Sequence, residues 1–130
     1  MIEDLVAKWF IFFQITGAGN GLGRELSLHL SKLGCVIICV DINKNDNEDT
    51  LKQIIYDGGS GRTYCCDVSK SENVKNLAER VLDDVGRVDI LISNAGIIYR
   101  NGILMGEDDE IKKVVEVNYL ASLWVNYSNI

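Results

Sequence analysis

The sequence contains no proline, only one histidine, and no apolar run long enough to span a membrane. Its longest apolar segment, residues 5–15, is interrupted by Lys8 and Gln14 and is therefore interpreted as a core strand. This segment also lacks the cleavage-site pattern of a signal peptide. Internal repeats and low-complexity tracts are absent as well, so the 130 residues are expected to form one domain with a real core.

The cysteines have none of the spacings that metal sites use, and His29 is the only histidine that could join them. No metal site is therefore predicted. All of the cysteines lie in or beside apolar, strand-like runs, which predicts free, buried, reduced thiols and a location on the cytoplasmic side. They are Cys35, Cys39, Cys65 and Cys66.

Positive charge is scarce. The chain has 13 Lys and Arg against 19 Asp and Glu, a net charge of −6, and no basic patch. This balance argues against nucleic acid or an anionic membrane surface as a partner. With 47% hydrophobic and 25% charged residues, the composition is that of a globular protein.

Strand-like and helix-like segments alternate along the chain. The first predicted strand ends at Thr16, and the other three cover residues 35–40, 63–66 and 88–93. A last helix begins near Glu107. This alternation predicts an α/β protein with a doubly wound parallel sheet, of which about four strands are present. With the strand order 3-2-1-4, the fourth strand would lie at an edge of the sheet.

The helical segments carry more detailed signals. The polar cluster at residues 43–49 is interpreted as a loop that leads into a short helix over residues 48–56. Ser69 and Glu72 have the spacing of a capping box at the start of the third helix. The apolar face predicted for the first helix consists of Leu22, Leu26, Leu30 and Leu33.

A glycine-rich segment, Thr-Gly-Ala-Gly-Asn-Gly-Leu-Gly at residues 16–23, joins the first strand to the first helix. A helix N-terminus presents backbone N–H groups and the positive end of the helix dipole, which together favour a bound diphosphate. Gly17 suits the turn out of the strand, Gly21 suits close approach to the ligand, and Gly23 suits tight packing of the helix. A glycine-rich turn that binds no ligand is the alternative.

An acidic residue, Asp41, follows the second strand, 18 residues beyond Gly23. A carboxylate at this place can accept hydrogen bonds from the hydroxyls of an adenosine ribose, and it repels a 2′-phosphate. It therefore predicts NAD as the cofactor and disfavours NADP. The alternative is a solvated loop acid that contacts no ligand.

Three further motifs lie farther along the chain: Asp67-Val68 after the third strand, Asn94-Ala95-Gly96 after the fourth, and Asn118 in the last helix. Together with Thr-Gly-x-x-x-Gly-x-Gly and Asp41, they resemble the N-terminal portion of the short-chain dehydrogenase/reductase family over about residues 10–125. The resemblance implies a Rossmann fold. Residues 1–130 would form a single NAD(P)-binding domain, incomplete at its C-terminal end.

The resemblance also implies a role for each matching residue. Thr16 would brace the glycine turn, Asp67 would bond the adenine amino group, Val68 would pack on the adenine ring, and Asn94 would tie neighbouring strands together. The full set of implied cofactor-binding residues is Thr16, Gly17, Asn20, Gly21, Leu22, Gly23, Asp41, Asp67, Val68, Asn94, Ala95 and Gly96.

Asn118 would be the catalytic asparagine that anchors a proton relay. Ile111, Val114, Val115 and Asn118 share one stripe at helical spacing, which predicts that Asn118 points inward. A buried amide needs partners. An asparagine that only satisfies nearby backbone groups is the alternative.

Within the family, residues 19–26, 40–44 and 119–124 resemble the retinol and 17-beta-hydroxysteroid dehydrogenase-like branch. This implies an oxidoreductase for a lipophilic alcohol or ketone, a homo-oligomeric full-length form, and attachment to endoplasmic reticulum or lipid droplets. The N-terminal hydrophobic segment typical of such proteins is missing or replaced in residues 1–13.

The family also uses a catalytic serine and a Tyr-x-x-x-Lys pair, in which the lysine lowers the pKa of the tyrosine for proton transfer. None of the five tyrosines has a lysine four residues later. The chain is therefore expected to be truncated, as the cofactor-binding half of such an enzyme. The alternative is a non-catalytic NAD-binding or interaction fragment.

Overall fold

The computed structural model describes residues 10–99 and 106–128. Four parallel strands form one sheet in the order β3-β2-β1-β4, so the predicted parallel sheet is confirmed. Within the described residues β4 lies at an edge, as the strand order predicted, and it is shorter than the predicted 88–93. The strands are β1 (Phe12–Thr16), β2 (Val36–Asp41), β3 (Ser60–Cys65) and β4 (Ile90–Ile92).

Helices cover both faces of the sheet, and each face has its own core. On one face, Ile54 of the second helix packs with the β1 and β2 residues Ile15 and Ile37. On the other, Val74 and Ala121 join β2 residues. The helices are α1 (Gly21–Lys32), α2 (Lys44–Tyr56), α3 (Ser71–Val85), α4 (Asp108–Val115) and, after a π-helical segment (Glu116–Leu120), α5 (Ala121–Ser128). No helix in the described ranges is long and apolar enough to cross a bilayer.

Helix α1 buries only part of the leucine face that its sequence predicted. Leu26 and Leu30 are half-buried and pack against the core, whereas Leu22 and Leu33 are 67% and 78% exposed. The positions that the helix buries are Gly23, Ser27 and Ser31. A β-carbon on Gly23 would overlap the carbonyl of Gly17, because the helix runs against the end of β1 at this point. Only small residues fit along the line of closest contact, so Leu26 and Leu30 pack beside it and Leu22 and Leu33 remain exposed.

The starts of two helices also differ from the predictions. Helix α2 begins at Lys44, because the side chain of Asn43 caps it by accepting a hydrogen bond from the Asp46 N–H at 3.1 Å. Residues 43–49 are therefore helix and its cap, not a loop. The predicted capping box of α3 is wrong, because the Ser69 hydroxyl donates to Asp67 Oδ1 at 2.7 Å and the N-cap is Lys70.

All four cysteines are free, as predicted, but they are not all buried. Cys65, the last residue of β3, is exposed, and Cys35, just before β2, is half-buried. Burial raises the pKa of Cys39 to about 12 and that of Cys66 to about 11. These two thiols therefore stay protonated and unreactive near neutral pH.

One polar side chain lies in the core without a partner. Gln14, in the middle of β1, is fully buried. Neither its amide oxygen nor its amide nitrogen has a hydrogen-bond partner among the described residues. Its neighbours in register are apolar, Ile38 on β2 and Leu91 on β4. A buried, unpaired amide destabilises a fold, because it gives up hydrogen bonds to water and gains none.

We expect Gln14→Leu to raise the free energy of unfolding by about 1 to 2 kcal/mol, because it removes the unpaired amide at similar volume. Urea unfolding followed by circular dichroism measures this change. Gln53→Leu is the matched control: the Gln53 amide donates to Asp57 Oδ1 on the surface at 2.9 Å, so its loss should have an effect below about 0.5 kcal/mol. A destabilised Gln14→Leu protein would mean that the amide has a partner, such as a buried water.

Candidate cofactor-binding site

A cleft of about 510 Å³ lies beyond the carboxyl ends of the strands. Of the twelve predicted cofactor-binding residues, only Thr16 and Gly23 are not part of its lining. Parallel strands end at the same edge of a sheet, so motifs that follow different strands meet there. The predicted residues that line the cleft are Gly17, Asn20, Gly21, Leu22, Asp41, Asp67, Val68, Asn94, Ala95 and Gly96.

The N-terminus of α1 opens into this cleft and has the features of an anion site. Asn20 is the N-cap, but its side chain makes no capping hydrogen bond. The first turn of α1 contains no acidic residue, whereas the first turns of α2, α3 and α4 each do. Gly21 has φ +54°, and a β-carbon there would meet no atom within 4 Å. Uncapped N–H groups at a positive helix end fit a diphosphate.

The loop after β4 is tied to the glycine turn through Thr16 and Asn94. The Thr16 hydroxyl accepts hydrogen bonds from the N–H groups of Asn94 and Ala95, at 3.0 and 3.1 Å. The Asn94 side chain donates to the carbonyls of Thr16 and Gly17, at 3.0 and 3.3 Å. These four contacts fix the spacing between two walls of the cleft. Thr16 thus supports residues that line the cleft without being one of them.

Asp41, at the end of β2, holds two loops at once. Its Oδ2 accepts a hydrogen bond from the Gly19 N–H at 2.8 Å, and its Oδ1 accepts one from the Asn43 N–H at 2.8 Å. A carboxylate oxygen can accept a second hydrogen bond, so each still has capacity for a ribose hydroxyl. The residue therefore combines a structural role within the chain with the acceptor chemistry that a ribose needs.

The charge in the cleft is mainly negative. Three carboxylates, those of Asp41, Asp46 and Asp67, are part of its lining. Lys113 of α4 is the one cationic residue among the described lining residues. A phosphate group other than the diphosphate would be repelled beside Asp41 and Asp46, whereas neutral hydroxyls could bind there. This end of the cleft thus offers hydrogen-bond acceptors and negative charge.

The wall at the end of β3 is suited to a flat, largely apolar group with a polar edge. Val68 is buried, and Cys66 beside it is held as a neutral thiol by its raised pKa. Asp67 Oδ1 accepts hydrogen bonds from both the N–H and the hydroxyl of Ser69. No hydrogen bond within the described residues engages Asp67 Oδ2. This oxygen could accept a hydrogen bond from an adenine amino group.

Several lining residues were missed by the sequence analysis: Val40, Ile42, Asn43, Asp46, Cys66, Ser69, Ile97, Lys113 and Val117. Most are sequence neighbours of a motif residue, so adjacency was an available signal. Lys113 and Val117 are four residues apart and share one face of a helical stretch, but nothing in the sequence indicated that this face borders the cleft.

Asn118 lies in the π-helical segment and is not part of the cleft lining. It donates to the Ile97 carbonyl and accepts from the Ile97 N–H, both at 2.8 Å. The prediction that it points inward is wrong: Asn118 is exposed, and Ile111 and Val115 on the same predicted stripe are 41% and 46% exposed. Ile111 and Val115 lie in α4, which has no buried residue, so no described part of the chain covers this stripe.

The model of the short chain dehydrogenase family matches residues 12–128. The chain belongs to the short chain dehydrogenase family. Epidermal retinol dehydrogenase 2 of Homo sapiens is 45% identical over 112 residues, which cover 85% of this chain and 36% of that protein. Estradiol 17-beta-dehydrogenase 11 of Mus musculus is 37% identical over 110 residues, covering 85% and 37%. The chain spans little more than a third of these relatives, and the predicted resemblance to their branch is confirmed.

Solved short chain dehydrogenases share this fold. A metagenomic short-chain oxidoreductase in complex with NADP superposes with a TM-score of 0.86 and 25% identity, covering 91% of this chain and 54% of that chain. NAD+-bound xylitol dehydrogenase superposes with a TM-score of 0.84 and 27% identity, covering 92% and 46%. The predicted Rossmann fold is confirmed. One of these structures holds NADP and the other NAD+, so the likeness does not decide between the two cofactors.

Proposed function

We propose that this chain is the cofactor-binding part of an NAD-dependent oxidoreductase that acts on a lipophilic alcohol or ketone of retinoid or steroid type. The observation that carries the proposal is the pairing of the uncapped N-terminus of α1 with the Asp41 carboxylate across one cleft. The first is complementary to a diphosphate, and the second to ribose hydroxyls.

NAD is proposed over NADP on electrostatic grounds. A 2′-phosphate would lie near the carboxylates of Asp41 and Asp46, and the described lining offers only Lys113 as a cation. Repulsion between like charges at such distances disfavours the phosphorylated cofactor. The residues of the cleft therefore fit the adenosine and diphosphate of NAD.

The bound nicotinamide would supply the chemistry by accepting or giving a hydride. The residues of this chain would bind and orient it: Thr16 and Asn94 by fixing the cleft walls, and the glycine turn by holding the diphosphate. Asn118 is proposed to anchor the proton relay through the rigid link that it makes with Ile97. The substrate class rests on the names of the retinol and estradiol dehydrogenases to which the chain is similar.

A second candidate is an NAD-binding or interaction unit that does not turn over substrate. The observation that favours it is that none of the tyrosines in the 130 residues has a lysine four positions later. Tyr-x-x-x-Lys would supply the proton transfer that accompanies hydride transfer. A homo-oligomeric state and attachment to endoplasmic reticulum or lipid droplets belong to the first candidate and stay predictions.

The test is to measure binding and turnover separately on the purified protein. We expect calorimetric titration to give tighter binding of NAD than of NADP. A longer protein that contains these residues and a Tyr-x-x-x-Lys pair, and that turns over all-trans-retinol or estradiol with NAD as followed by NADH fluorescence, would support the first candidate. Saturable NAD binding by the 130-residue protein, with no turnover by any longer form, would support the second. Absence of binding by NAD, NADP and ADP alike would overturn the cofactor site itself.

A further inference from the structure

Thr50, in the middle of α2, is fully buried, contacts the glycine turn, and is not part of the cleft lining. Its hydroxyl lies 2.9 Å from the Ala18 carbonyl oxygen and 3.4 Å from that of Gly19. The hydroxyl also accepts a hydrogen bond from Arg24 Nη1 at 2.9 Å, which directs its own hydrogen away from Arg24 and toward a carbonyl. The Asp46 carbonyl, one helical turn earlier, lies 3.1 Å away, and the Ala18 carbonyl is the nearest acceptor. None of the sequence motifs includes this residue.

The contact completes a set of bonds that hold residues 18 and 19 against the β2–α2 unit. The Ala18 N–H donates to the Val40 carbonyl at 3.1 Å. The Gly19 N–H donates to Asp41 Oδ2 at 2.8 Å. With the Thr50 hydroxyl on the Ala18 carbonyl, three of the four backbone polar groups of this dipeptide are engaged by that unit. The turn is therefore held in one conformation before any ligand arrives.

We propose that Thr50 is a positioning residue for the diphosphate part of the cofactor, an inference that rests on the proposed NAD site. Carbonyl oxygens repel phosphate oxygens, whereas N–H groups attract them. By holding the Ala18 carbonyl toward α2, the Thr50 hydroxyl keeps it out of the cleft and leaves the N–H groups beyond it facing the ligand. A turn fixed in this way also loses less conformational entropy on binding.

The positioning role depends on where the Thr50 hydroxyl lies, and not only on its burial. A purely structural Thr50 would affect all ligands of the cleft equally through the stability of the fold. A positioning Thr50 would affect ligands that carry phosphates and spare those that do not. ADP carries a diphosphate and adenosine does not, and both would use the cleft walls near Asp41 and Asp67.

The experiment compares Thr50→Val, which removes the hydroxyl, with Thr50→Ser, which keeps it. We expect Thr50→Val to weaken NAD and ADP binding roughly tenfold and adenosine binding less than about twofold, since one hydrogen bond is lost. Thr50→Ser should restore most of the affinity for ADP. Calorimetry gives the affinity for ADP, and competition with NADH fluorescence gives that for adenosine. Thr63→Val, the same change on β3 outside the cleft lining, is the matched control.

Each outcome is decisive. Equal losses for ADP and adenosine, or no loss for either, would overturn the positioning role. If the wild-type protein binds neither NAD nor ADP, the proposed function fails first, and the two failures are thus distinguishable. If Thr50→Val does not fold, Arg24→Met removes the group that orients the hydroxyl, and the same selective loss for ADP, at about threefold, is expected. No selective loss in Arg24→Met would also overturn the inference.

Discussion

Replacing Gly23 with alanine is expected to lower the free energy of unfolding by about 3 kcal/mol and to weaken NAD binding at least about tenfold. A β-carbon there would overlap the Gly17 carbonyl and crowd the side-chain amide of Asn94. Both neighbours are held in place: the Asn94 amide bonds the carbonyls of Thr16 and Gly17. Relief of the clash must therefore move α1 away from β1, which displaces the anion-binding end of the helix.

Gly86→Ala is the matched control for this prediction. Gly86 ends α3 with φ +90°, and a β-carbon there meets no atom within 4 Å, so the only penalty is backbone strain of about 1 to 2 kcal/mol. Its distance from the cleft should leave the affinity for NAD unchanged. Urea unfolding and calorimetry measure the two quantities for both variants. A Gly23→Ala protein as stable as wild type would contradict the close packing of α1 on β1.

Sequence reasoning reached the cleft because local chemistry fixes where the motifs lie. The glycine turn, Asp41 and Asp67 each lie at or just beyond the end of a strand, and a parallel sheet brings all strand ends to one edge. The position of these residues depends only on the identity of the strands and on their common direction. Both were readable from the alternation of apolar and helical segments.

The same reasoning failed where the outcome depends on distances between elements. Leu22 and Leu33 have the spacing of a buried face, yet the close approach of α1 to β1 leaves room only for small residues. Asn118 was misplaced because helical spacing predicts an apolar stripe but not whether another element covers it, and α4 has no buried residue. Thr50 carried no signal at all, since a threonine within a polar helix is recognisable as a contact only when the opposing carbonyl is known.

Replacing Asp41 with asparagine is expected to weaken NAD binding by about ten- to a hundredfold. The carboxylate of Asp41 accepts from the Gly19 N–H on one oxygen and from the Asn43 N–H on the other. An amide has one oxygen, so one of these backbone donors would face an NH₂ group. The variant also loses the charge that strengthens hydrogen bonds from ribose hydroxyls. NADP should be affected less, because the repulsion of its 2′-phosphate falls at the same time.

The ratio of the two affinities separates the roles of Asp41, and calorimetric titration of both cofactors measures it. The preference for NAD should fall at least about tenfold if the carboxylate selects the cofactor. Equal weakening of NAD and NADP would mean that Asp41 acts only by holding Gly19 and Asn43. Unchanged binding of both would mean that the Asp41 carboxylate does not contact the cofactor. Asp49→Asn is the control. The Asp49 carboxylate lies in α2 and pairs with Lys52 on the surface, so its replacement should leave both affinities unchanged.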